Sequence, residues 1–148
     1  MIDVKKLVLV PALAFTLVLL LPGTAQVQSP LIGQMELNYY EPNPIWRGTI
    51  TGDISGEIFF SNIGGKEAGM AYHFEEEWWI TDQGGTILRG TDEGVVSPNS
   101  KYRMNGVVTE AAPEWSHLIG RKVHASGYIT WDPDTGAPLT APGTFRIE

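Results

Sequence analysis

The sequence has no cysteine among its 148 residues, which excludes disulfides and thiolate chemistry. Basic side chains are scarce: 10 Lys and Arg stand against 17 Asp and Glu, a formal charge of −7. An acidic surface repels a phosphate backbone, so nucleic acid is not expected as a partner. The phosphate-cradling runs GxxxxGK and GxGxxG are absent, which sets nucleotide chemistry aside. No GxSxG occurs and no serine has a base beside it, so there is no nucleophile constellation. No helical periodicity is long enough to carry a fold. What remains is a chain of short β-favouring segments punctuated by glycine.

The first 25 residues read as a secretory signal. Lys5 and Lys6 open it, Leu7 to Leu21 is a 15-residue apolar run, and Pro22-Gly23-Thr24-Ala25 supplies small residues for cleavage after Ala25. The run is shorter than the ~20 residues of a spanning helix, and Pro11 interrupts it. The expectation is therefore a secreted or periplasmic protein with no stable membrane anchor after cleavage. Losing Asp3, Lys5 and Lys6 leaves 8 basic and 16 acidic residues in a mature chain of 123. That length makes one domain and buries enough surface for a core.

Residues 26–45 read as a lead-in with a first short strand over Glu36–Glu41, ended by Pro42 and Pro44 around Asn43. Residues 46–148 read as the barrel. Trp46 to Phe60 alternates, with Ile50, Ile54, Ile58 and Phe60 on one face. Gly52 and Gly56 fall on that same apolar parity, where a small barrel must bend. Asn62 to Lys66 reads as a turn, Gly69 to Asp82 as the longest strand, and Gln83-Gly84-Gly85 as a hairpin into Thr86–Val96. Further strands are expected over Tyr102–Thr109, Lys122–Trp131 and Thr144–Ile147, with one helical turn over Pro113–Leu118. The fold class is all-β: a closed or nearly closed antiparallel barrel of about eight strands.

Parity selects the candidate site. Tyr72, Phe74, Glu76, Trp78 and Ile80 form the more apolar face of the longest strand, and a one-residue slip would bury His73, Glu75 and Glu77 instead. Glu76 is then a carboxylate on an apolar stripe, raised in pKa and usable as an acid or base unless Arg89 or Arg103 pairs with it. Tyr72, Phe74, Trp78 and Tyr102 are the candidate ligand-binding aromatics, or simply core. His73, Glu75 and Glu77 read as a solvated face rather than a metal site, and His117 and His124 lack ligand spacing. Asp132-x-Asp134-x-Gly136 reads as a hairpin turn rather than a calcium loop. No metal or other cofactor is implied. Trp79 and Trp115 are candidates for a subunit interface in a homo-oligomer.

Gly106 to Gly127, with Gly120 and Gly127 bracketing a strand opening, resembles a signature of allene oxide cyclases and dirigent proteins. The hairpin marked by Asp82, Gly84 and Gly90 is similar to another segment of that family. The resemblance implies an eight-stranded, calycin-like antiparallel barrel with an apolar cavity, often oligomeric. Its cyclases hold a water with a glutamate and an asparagine two residues apart, and Tyr40-Glu41-Pro42-Asn43 looks like that element. It makes Glu41 and Asn43, with Glu76, the candidate catalytic residues. The family's Ser-Pro pair has no counterpart before Trp46, and its cavity cysteine is absent. Three readings follow: a barrel binding a small apolar molecule, a cyclase or isomerase templating ring closure with a glutamate, and a structural or interaction protein with a solid interior.

Overall fold

The computed structural model describes residues 28–148; the expected leader lies outside them. Ten strands form one antiparallel sheet: β1 (Leu31–Tyr40), β2 (Ile45–Gly52), β3 (Gly56–Ala68), β4 (Ala71–Asp82), β5 (Gly85–Val96), β6 (Lys101–Ala111), β7 (Lys122–Tyr128), β8 (Thr130–Trp131), β9 (Pro138–Thr140) and β10 (Gly143–Ile147). β1 to β7 pair in sequence, β7 pairs β10, and β10 pairs back onto β1. That closes an eight-stranded barrel, a size whose interior side chains can fill or which can hold one small ligand. The short β8–β9 hairpin is an outer extension, touching β1 where Asn38 meets Thr140.

Alternation dictates the interior. Met35 and Leu37 from β1, Ile50 from β2, Ile58 and Phe60 from β3, and Trp78 and Ile80 from β4 are all buried, each two residues from the next on its strand. Large rings meet glycines on the neighbouring strand. Trp78 lies opposite Gly90 and Phe74 opposite Gly94, and a Cβ at either glycine would overlap the facing ring. The barrel thus holds two big aromatics on one strand because the next strand presents no side chain to them. Trp78, Phe145 and Phe60 fill the middle, with Trp78 and Phe145 edge-to-face at 5.1 Å. A 3-10 helix, Pro113–Leu118, lies at the end where β6 passes to β7, and it buries Leu118. Ile54 and Ile87 are buried at the same end.

Three segments differ from expectation, the first being Lys122–Trp131, which divides into β7 (Lys122–Tyr128) and the outer β8 (Thr130–Trp131). β1 begins at Leu31 rather than Glu36, and it pairs both β2 and β10; the closed sheet therefore takes in residues assigned to the lead-in. Asn62–Lys66 is not a turn. It lies inside β3, where a β-bulge shifts the register between Asn62 and Gly64, and the chain reverses at Gly69 with φ 65°. Gly64-Gly65 carries the local signature of a turn, but here it leaves room for the Tyr72 ring, which a Cβ at Gly65 would strike.

The outer face explains two tryptophans. Arg47, Phe59, Trp79 and Arg89 form one cross-strand row. Phe59 and Trp79 stack at 5.1 Å, with a guanidinium over each ring. Trp79 and Trp115 are only half-buried, not fully exposed, and Trp115 packs on the core and against His117. Asp132 accepts the backbone N–H groups of Asp134 and Thr135 at 2.8 and 3.0 Å, the hairpin turn expected there.

Candidate functional site

The barrel interior is solid at the 3-10 helix end and open at the other. Above Phe60 a cavity of about 400 Å³ opens among the β1–β2, β3–β4, β5–β6 and β8–β9 turns. Its size falls within the range of small-molecule pockets. Tyr39, Trp46, Tyr72, Phe74, Tyr102 and Trp131 supply aromatic walls, and Leu37, Val96, Met104, Ile129 and Ala141 aliphatic ones. The polar side chains that reach it, apart from the tyrosines and the indole groups, are Asn62 and Glu76. The rim is exposed and apolar, with Tyr72 40% and Trp131 44% exposed.

Glu76 is buried on β4, facing Asn62 of β3 on one side and Asp92 of β5 on the other. Asp92 is buried as well. It sits between Gly90 and Gly94 on its own strand and opposite Gly106, where a Cβ would come 2.6 Å from the Asp92 Cβ. Burial pushes the Glu76 carboxyl up to about 8, and Asp92 adds to that rise. Burial also pushes Asp92 up to about 7. Directly opposed cross-strand residues of like charge repel, so the pair titrates as a unit. Both Asp92 carboxylate oxygens and the Trp78 Nε1 are enclosed without a hydrogen-bond partner.

Neither arginine reaches this pair. Arg89 lies over Trp79 on the outer face and Arg103 is exposed. Tyr102 directs its hydroxyl to the Ala141 and Pro142 carbonyls at 3.4 and 3.3 Å, and glycines at 127 and 143 make space for it. Burial, then Glu76 and Glu36, raise its pKa. Chemically, the site offers an apolar cavity with one protonatable carboxyl in its wall. At neutral pH Glu76 is largely an O–H donor, a role a desolvated acid can fill.

The sequence-derived candidates divide by position. Glu76, Tyr72, Phe74 and Tyr102 come together around the cavity. Trp78, with no exposed surface, is packed in the core and does not line the cavity. Glu41 and Asn43 are exposed in the β1–β2 turn and do not line it either. The proline-bounded loop places both on the solvent side, although Glu41 is close enough to add to the rise that burial gives the Tyr39 pKa. His73, Glu75 and Glu77 are exposed on the outer face. Asn62 and Asp92 are the residues sequence reasoning missed. No family model, curated protein or solved structure matches the chain.

Proposed function

We propose that the chain is an exported β-barrel, secreted or periplasmic, that binds one small apolar molecule in the cavity above Phe60. The observation that carries this reading is the cavity itself: open to solvent at one end, walled by aromatic and aliphatic side chains, with few polar groups to orient a ligand. The apolar leader supports export, and the eight-stranded closed sheet is compatible with a distant relation to allene oxide cyclase and dirigent barrels. Purified protein should bind a neutral fluorescent apolar dye with one-site saturation, quenching Trp46 and Trp131 emission. Val96 lines the cavity and is only half-buried, so Val96→Trp should fill it while keeping the fold. That variant should weaken dye binding at least about tenfold. Unchanged affinity in a folded Val96→Trp protein would place the ligand elsewhere and sink the reading.

One observation favours a second reading, catalysis on the bound molecule. Glu76 is both in the wall and raised toward neutrality, which suits a general acid or base in a cyclase or isomerase. Under that reading Glu76 handles the proton and the exposed Glu41 and Asn43 do not. Glu76→Gln should then reduce turnover by about 100-fold or more with dye affinity nearly unchanged. Turnover that survives in this variant removes Glu76 from the proton-handling role, and the absence of turnover in the unsubstituted protein leaves binding alone.

A further inference from the structure

The barrel interior holds two acids and no base. Glu76 and Asp92 are the buried charged residues among those described, and they face each other across β4 and β5. The neighbouring elements offer no counter-charge. β3 presents Asn62 beside Glu76, and β6 presents Gly106 beside Asp92. The other titratable side chains turned toward the cavity are Tyr102 of β6, already committed to two carbonyls, with Tyr39 of β1 and Tyr72 of β4 at the rim. β2, β7 and β10 turn Ile50, Val123, Ala125 and Phe145 inward. A buried acid without donors or a cation is costly to keep. The two enclosed oxygens of Asp92 without partners show that the chain itself does not supply them.

The remaining open direction from Glu76 is the cavity, and its walls are aromatic. Ring faces attract cations, most strongly where water is excluded. We propose that the cavity's ligand is a lipophilic amine, with its ammonium group hydrogen-bonded to Glu76 in the field of Asp92 and its hydrocarbon part along the rings. This rests on the reading of the cavity as a binding site for a small apolar molecule. An ammonium brings three donors and a positive charge to groups that lack both. A metal ion fits less well, since among the described residues no three His, Cys, Asp or Glu side chains gather in one place. When the acid is initially neutral, binding leaves the ammonium intact, breaks the carboxyl O–H bond and releases that proton to solvent. Affinity therefore rises with pH until the acids are ionised in the free protein.

Isothermal titration calorimetry with octylamine, octanol and octanoate, which share one tail, tests this. Octylamine should bind at least about tenfold tighter than octanol near pH 8, with octanoate weakest. Its affinity should rise by up to about tenfold per pH unit between roughly pH 6 and pH 8, with proton release read from the dependence of the heat on buffer. Glu76→Gln should bring octylamine down to the octanol level without weakening octanol. Asp92→Asn should move the rise in octylamine affinity to lower pH, giving a second route should the first variant fold poorly. Octanol or octanoate binding as tightly as octylamine, or octylamine affinity flat or falling with pH, overturns the amine assignment and leaves the binding cavity standing. Failure of all three compounds to bind overturns both.

Discussion

Trp78→Ala should cost the protein about 3–5 kcal/mol, the range for emptying a buried tryptophan site. Trp78 has no exposed surface, meets Phe145 edge-to-face and occupies the space that Gly90 leaves on β5. The indole is thus a central part of the solid core, while Phe60 beside it lines the cavity. The reciprocal change carries the same information. A methyl at position 90 would overlap both the indole and the Val107 carbonyl, so Gly90→Ala should cost about 1–3 kcal/mol. If the two residues are one packing unit, Trp78→Phe should relieve part of that cost. A coupling of at least about 0.5 kcal/mol is then expected between Gly90→Ala and Trp78→Phe, read from urea midpoints of the double-mutant cycle. Strict additivity would mean that the Val107 carbonyl alone demands glycine there.

Much of this core was legible because barrel strands alternate. Parity places Ile50, Ile54, Ile58, Phe60, Phe74, Trp78 and Ile80 inward, and all are buried. Glu76 came with them, because its neighbours two residues away on either side are rings that must be inside. Where the period of two is interrupted, the reading fails for a physical reason. Asn62 reads as part of a turn since Gly64 and Gly65 follow it, yet both glycines are paired in the strand, Ile63 is the bulged residue, and Asn62 is the last inward residue before it.

Asp92 was hidden by a second irregularity. Counting outward from the β4–β5 hairpin, the pairing of Thr81 with Thr86 would set Glu76 opposite Thr91. A bulge between Ile80 and Thr81 moves the register by one residue and sets it opposite Asp92. The trace of that bulge was present in the sequence: Ile87 and Leu88 are adjacent apolar residues, and both are buried. Two consecutive inward residues cannot arise in a regular strand. The same shift sets Arg89 opposite Trp79 on the outer face, and Arg103 stands outside because it alternates with the buried Tyr102 and Met104. Glu41 and Asn43 show the converse limit, since a two-residue spacing identifies a motif without saying which side of the barrel wall it occupies.

The second large effect is an inverted pH dependence of stability. Most proteins weaken in acid because paired carboxylates must take up protons; this one should strengthen as the pH falls from about 8 toward 5. In the unfolded chain Glu76 and Asp92 ionise near pH 4, whereas in the folded barrel burial holds them up to about 8 and about 7. Across that window the folded state binds more protons than the unfolded state, so unfolding free energy falls with rising pH. Each group contributes a slope of up to about 1.4 kcal/mol per pH unit, and the combined loss by pH 9 amounts to several kcal/mol. The stabilisation is fully present below the unfolded-state values and is gone once the pH has passed the folded-state ones. Global self-repulsion acts in the same direction, since residues 28–148 carry 16 acidic and 8 basic side chains. The two causes separate by substitution. Glu76→Gln and Asp92→Asn each change the total charge by only one unit, yet each should remove about half of the slope, and together they should leave the urea midpoint nearly level from about pH 5 to pH 9. A steep slope that survives in the double variant would assign the effect to the surface and leave the buried pair ionised without penalty, an outcome incompatible with two desolvated acids that face each other across a strand pair without a cation.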